Sequence, residues 1–343
     1  MSSHSLTSKR LEFDDATEAI EHYFAAGWTD GLPVIPPTAA RVTEFLDYAG
    51  RAPSEIVGVE PTKGRVITAE KVAINAVMAG CLPEYLPVVL AAVEAMTEDQ
   101  YSMHGISVST AGAAAMILVS GPIAGELSIN SGVGAFGPGH RANATIGRAI
   151  RLVISNVSGA VTGELDKGTL AHGGKYSWCF TEAEGVSPWE PLHVDRGFDK
   201  SQSTVTVFAA LAPDQATNHT GDHPEPILTS VADTMLSAGP DQSEVVVVLG
   251  PEHMGYISKA GWSKRQVKEF LHETARRTAS EWERVDALPG PVNDPDASIG
   301  VAQSPDSITV LVAGGAAGGF SAVIPLWGGG ANSQSVVKAI RVP

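Results

Sequence analysis

The chain predicts an α/β protein built from two related halves, and three observations carry that expectation. Helix and strand signals alternate along the sequence instead of falling into separate runs. Segments of the first half can be laid over segments of the second. A length of 343 residues, with 43% apolar and 18% charged side chains, is enough to bury a substantial core.

In chain order, ATEAIEHYFAAGW (16–28) spaces its apolar residues as an amphipathic helix does, and TDGLPVIPPT after it is held extended by Pro33, Pro36 and Pro37. A helix is expected around Ala40 to Tyr48. Over 69–97 two helices are expected, broken at Cys81-Leu82-Pro83, because proline fits a first helical turn and not an interior one. AAMILVSG (114–121) has the pattern of a buried strand, Gly121 to Gly139 is glycine-rich, and ANATIGRAIRLVISNV is apolar at helical spacing with Asn143 as its expected cap. YSWCF (176–180) and STVTVFAAL (203–211) carry strand signals. The second half runs helix (224–238), strand EVVVVLG, helix (264–277), a Pro/Asp/Gly-rich linker (287–300), strand ITVLVAGG, a glycine-rich loop and a terminal SVVKAIRV.

Three overlays relate the halves. AGCLPEYLPVVLAAVEA (79–95) lies over AGWSKRQVKEFLHETAR (260–276), ILVSGPIAGELS (117–128) over VLVAGGAAGGFS (310–321), and ANATIGRAIR (142–151) over ANSQSVVKAIR (331–341). The expectation is two degenerate α/β repeats, about 70–151 and 251–341, related by a pseudo-twofold axis with a small-molecule cleft between the lobes. Residues 1–68 would form a helical and extended segment packed on the core, 69–200 the first lobe and 201–343 the second.

Charge narrows the partners. A formal charge of -15 argues against nucleic acid and against an anionic membrane surface, because both would be repelled at long range. No stretch approaches the roughly 18 apolar residues of a spanning helix, and MSSHSLTSKRLEFDD lacks a signal core, so a cytoplasmic protein is expected. Its two cysteines make no disulfide framework and fit a reducing compartment. A small-molecule substrate and a homo-oligomer are the expected partners.

Cys81 precedes a helix start, where free N–H groups would favour a thiolate, and is the expected nucleophile. His104 and His140 are the expected acid/base partners, with His172 a further candidate. The loop ending GPGHRANAT meets a helix N-terminus that suits a carboxylate or phosphate, with Ser128, Asn130, Arg141, Asn143 and Ser321 as substrate-binding candidates. The expected function is therefore an enzyme acting on a small, carboxylate-bearing metabolite through the Cys81 thiolate. No cofactor is expected: the glycine-rich stretch matches neither a Walker loop nor a dinucleotide fingerprint. Two alternatives stay open. One is a metal-dependent hydrolase, lyase or hydratase using a divalent ion at His219, Asp222 and His223; the other is a non-catalytic binder or redox-complex subunit.

The phrases GWTDGLPVIPPT (27–38), VAINAVMAGCLPEYLPVVLAAVEA (72–95), FGPGHRANATIGRAIRL (136–152) and SPWEPLHVDRGF (187–198) carry a resemblance that covers most of the chain. In them the sequence resembles bacterial proteins grouped as the UGSC family. Some of those carry selenocysteine in a UGSC motif, and some are labelled thiol-disulfide oxidoreductases. The resemblance implies a thiol redox role, yet this chain contains no Cys-Gly-Ser-Cys or Cys-x-x-Cys, so the reactive motif would have to sit on a partner chain.

Overall fold

The computed structural model describes residues 5–291, 293–328 and 333–342. Side-chain caps set the early helix starts. Asp15 accepts from Thr17 and Glu18 at the head of α1 (Ala16–Ala25), Thr38 from Arg41 in α2 (Ala39–Ala49), and Thr68 from Lys71 in α3 (Ala69–Ala79). Between α2 and α3, β1 (Ile56–Glu60) and β2 (Arg65–Thr68) form an antiparallel hairpin. Gly80 ends α3 in the left-handed region, and Pro83 opens a short 3-10 turn that leads into α4 (Leu86–Met96), as the Cys-Leu-Pro break predicts.

Next come α5 (Met103–Val108), β3 (Ala114–Ser120), α6 (Pro122–Glu126), α7 (Arg141–Asn156), β4 (Cys179–Thr181), α8 (Leu192–Asp195) and β5 (Thr204–Ala210). The remainder is β6 (Asp214–Thr217), α9 (Pro224–Met235), β7 (Val245–Leu249), α10 (Pro251–Lys259), α11 (Lys264–Thr274), β8 (Arg276–Thr278), α12 (Ala279–Glu283), β9 (Ser298–Gly300), β10 (Ile308–Val312), β11 (Phe320–Pro325) and β12 (Val336–Ala339). The α/β class is as expected.

Two four-stranded sheets, ordered β12-β5-β3-β4 and β6-β11-β7-β10, share one pattern. In each, the first two pairings are antiparallel and the third is parallel. Alternation along the strands sorts the core into layers. Ile117, Val119, Val205 and Val207 face α3, α4 and α7; Val245, Val247, Ile308 and Val310 face α9 and α11. The intervening residues Met116, Leu118, Phe180, Phe208, Val246, Val248, Leu311 and Ile324 form one cluster between the sheets. The architecture is thus helix, sheet, sheet, helix. The space between the sheets is a packed apolar layer, not the open cleft expected there.

The sheets join where β5 and β11 end. Ala210 and Leu326 form an antiparallel bridge, with Leu211 N–H donating to Pro325 O at 2.9 Å and Trp327 N–H to Ala209 O at 2.8 Å. From there β5 leads into β6 of the second sheet, and β11 leads toward β12 of the first. Strands β5 and β12 both lie beyond residue 200 yet belong to the first sheet, so the 69–200 and 201–343 division does not follow the sheets.

Two overlays need correction. Residues 331 and 332 lie outside the described residues, and 336–339 is a strand where 142–151 is helix, because the β-branched Val336 and Val337 pair with Val207 and Thr206 along β5. By strand order β3 corresponds to β7, not β10. The matching signal is Gly121-Pro122 after β3 and Gly250-Pro251 after β7, each opening a helix. A Cβ at Gly121 would stand 2.2 Å from Gln202 O, and one at Gly250 2.2 Å from Phe320 O, so both glycines admit the start of the neighbouring antiparallel strand. Asn143 is not a cap; His140 holds the N-cap position without a side-chain bond. The helix expected over 264–277 stops at Thr274, and 276–278 turns into β8.

Candidate functional site

Helix α7 buries Ile146, Ala149, Ile150 and Val153 and turns three arginines toward separate partners. Arg141 donates from Nε and Nη2 to Gly80 O at 3.1 and 3.0 Å. Arg148 forms a two-point ion pair with the buried Asp30, both contacts at 2.8 Å, and also binds Pro33 O, which docks the TDGLPVIPP loop on α7. Arg151 reaches Asp166.

The structure brings four of the predicted residues together at the head of α7, but as a packed joint. Arg141 is engaged by the Gly80 carbonyl. Asn143, buried, exchanges bonds with the Asn130 backbone, its Oδ1 accepting from Asn130 N–H at 2.8 Å and its Nδ2 donating to Asn130 O at 3.0 Å. Cys81 is fully buried, and its Sγ donates to Thr145 O at 3.3 Å.

That environment reverses the expectation for Cys81. Burial pushes the thiol up to about 12, against smaller opposing effects of the Thr145 bond, Arg141 and Arg148, so helix-start N–H groups do not make it a thiolate. Cys179 is also buried and free, and burial raises its pKa further. Neither cysteine should react with iodoacetamide at pH 8 in the folded chain, and both should react together on unfolding in urea. Selective labelling of Cys81 in the folded protein, read by mass spectrometry, would restore it as a nucleophile.

The other predicted residues lie apart. His104 on α5 bonds through Nδ1 to Glu60 Oε1 at 3.1 Å, away from Cys81. His140 is exposed, as is Ser128, whose φ of 53° marks a turn. Ser321 belongs to the second sheet and meets His253 instead. His223 pairs with Asp222 at 2.7 Å on an exposed loop, while His219 packs edge-on to Phe320. Among the described residues no group of three His, Cys, Asp or Glu side chains is placed to hold a metal ion.

What the structure does assemble is a small cavity of about 30 Å³, opening to solvent, between α5, α7, the start of β3 and residues 160–175. Its apolar wall is Met103, Ile106, Ile150 and Ile154; its polar wall is Arg151, Asp166 and Lys175. Asp166 Oδ2 accepts from Lys175 Nζ at 2.6 Å and Arg151 Nη1 at 3.1 Å, and Oδ1 accepts from Gly168 N–H at 3.1 Å. All three charged side chains are largely buried. Burial works against the Asp166 carboxylate, but Lys175, the Gly168 N–H and Arg151 together hold its pKa below the usual range. Desolvation lowers Lys175 from its ordinary value despite Asp166. It also lowers His172, whose ring bonds Ala210 O and the Gly174 N–H behind this wall.

Sequence reasoning missed this triad. ELDKGTLAHGGK (164–175) does place two acids and two lysines in a glycine-rich stretch, but the meeting of Asp166 and Lys175 with Arg151 depends on a loop returning to α7. No family model matches the chain, and no curated protein matches it. No helix among the described residues is long and apolar enough to cross a membrane.

Proposed function

We propose that the chain is an enzyme for a small anionic metabolite, and that the metabolite's carboxylate is received at Arg151 and Lys175 instead of near Cys81. The observation that carries this is the charge balance of the cavity wall. Two cations share one carboxylate, which leaves one positive charge facing a partly desolvated space with apolar walls. A short carboxylate would take the uncompensated charge while its carbon chain covered Met103, Ile106 and Ile154. Lys175, whose ammonium is weakened by desolvation, is the group placed to exchange a proton with that ligand.

The test is titration of the protein with acetate, propionate and pyruvate, followed by amide chemical shifts. Saturable binding is expected for at least one, with affinity falling roughly tenfold or more in Lys175→Gln, the size of a lost charge-assisted bond. No saturable shift with any of them, or equal binding by Lys175→Gln, would overturn the reading.

The finer expectations stay with this proposal. A duplicated origin of the two sheets is supported by their common strand order and the paired Gly-Pro junctions. Two free cysteines support a reducing, cytoplasmic setting. A twofold homo-oligomer rests on the general prevalence of such assemblies.

A further inference from the structure

Ser321 of the second sheet and His253 of the helix beside it have a geometry that serves no purpose in the carboxylate cavity. Ser321, near the start of β11, places its Oγ 2.7 Å from His253 Nδ1 on α10. The other ring nitrogen, Nε2, lies 2.9 Å from the carbonyl of Asn218. A carbonyl can only accept, so Nε2 carries the hydrogen, Nδ1 is the bare acceptor, and the Ser321 hydroxyl donates to it. Asn218 is itself fixed: its Nδ2 donates to Pro226 O and Ser230 Oγ, and its Oδ1 accepts from the N–H groups of Thr220 and Gly221. The hydroxyl, the base and the group orienting the base are thus aligned in one chain.

We infer that Ser321 is a nucleophile activated by His253, acting on small uncharged esters admitted when the Gly314–Gly319 loop lifts. Both side chains are buried, so the assignment requires the segment leading into β11 to move. It consists of glycines and alanines, with Ala316 and Ala317 exposed and with Gly314 and Gly318 at φ of 120° and 110°, and its small side chains give little packing to break. Its ties are the Gly318 N–H bond to Glu252 Oε2 at 2.6 Å, the Gly314 N–H bond to Ser131 O at 2.8 Å and the Asn218 N–H bond to Gly319 O at 2.9 Å. The Glu252 carboxylate precedes His253 on α10 and repels anions, which favours an uncharged substrate, and the edge-on Phe320 and His219 rings, next in sequence to Ser321 and Asn218, offer an apolar surface for a short acyl group.

The chemistry balances without a cofactor. Ser321 Oγ bonds to the ester carbonyl carbon as its proton passes to His253 Nδ1; the C–O bond to the alcohol breaks and the alcohol leaves with that proton. Water, deprotonated by His253, then cleaves the acyl-serine to give the carboxylic acid and the original hydroxyl.

The experiment is incubation of the full chain with a small alkyl fluorophosphonate, which bonds to Oγ as fluoride leaves. The mass should rise by one phosphonyl group, peptide mapping should place it on Ser321, and Ser321→Ala should abolish both the adduct and p-nitrophenyl acetate hydrolysis. Labelling should slow roughly a hundredfold in His253→Gln. Because that buried substitution can unfold the chain, Glu252→Ala gives a second reading: with no acceptor left for the Gly318 N–H, labelling should speed severalfold. An unlabelled folded chain, labelling only in urea, or an adduct on other hydroxyls at the same rate would each overturn the assignment.

Discussion

Replacing Asp166 with alanine should destabilise the protein by about 3–5 kcal/mol, the scale for removing one partner of a buried ion pair. Asp166 is the carboxylate that Arg151 and Lys175 share, and its side chain is 5% exposed. Without it two cations face each other across a desolvated wall, and the Gly168 N–H loses its acceptor. The effect should therefore exceed that of breaking an exposed pair such as Arg265 with Glu269, which solvent screens. Adding Lys175→Met to Asp166→Ala should recover part of the loss, because it removes the repulsion that the first substitution creates. Urea unfolding of the three chains measures this. If Asp166→Ala shifts stability by less than about 1 kcal/mol, the triad is effectively solvated and the cavity reading loses its basis.

The sequence legibly encoded what local physics dictates. The Cys-Leu-Pro break, the long α7, and strands β3, β5, β7 and β10 each follow from apolar spacing plus a proline or glycine signal nearby. Pairing was less legible. SVVKAIRV can be laid on a helix by its apolar spacing, but Val336 and Val337 are strand formers that find an open edge on β5, and that edge exists only once the chain has crossed back from the second sheet. FSAVIP, hidden between two glycine-rich stretches, becomes β11 for the same reason.

The site followed the same division. Spacing put Cys81 before a helix start and Arg141 at a helix N-terminus, but it could not reveal that the Thr145 and Gly80 carbonyls would engage them. Arg151, Asp166 and Lys175 converge through a loop closure that no local pattern announces. His253 and Ser321 come from α10 and β11, with two helices and three strands between them.

Stability should fall as pH rises from about 4.5 to 7, and one residue should account for much of the fall. Glu182 follows β4, is buried, and accepts from Leu192 N–H at 2.8 Å. Burial pushes its pKa from an ordinary 4.5 up to about 7; the Leu192 bond and Lys264 pull it down, while Glu184 and Asp195 push it further up. The folded chain thus holds a proton that the unfolded chain releases near 4.5. Below that pH both states are protonated and the contribution is complete; between 4.5 and 7 the folded state alone keeps the proton, and stability drops by about 1.4 kcal/mol per pH unit, roughly 3 kcal/mol in all. Asp166, Glu60 and Glu70, all held below their ordinary values, act in the opposite sense at lower pH, and the lowered His172 does so within the same window, so the Glu182 contribution must be isolated by difference. Glu182→Gln supplies it, because the amide keeps an acceptor for Leu192 and cannot ionise. The variant should be more stable than the parent at pH 8 and nearly equal to it at pH 4.5, when urea midpoints are compared across that range. A pH-independent difference would show that the carboxyl stays ionised, which requires water or Lys264 to reach it and opens the packing between β4 and α8.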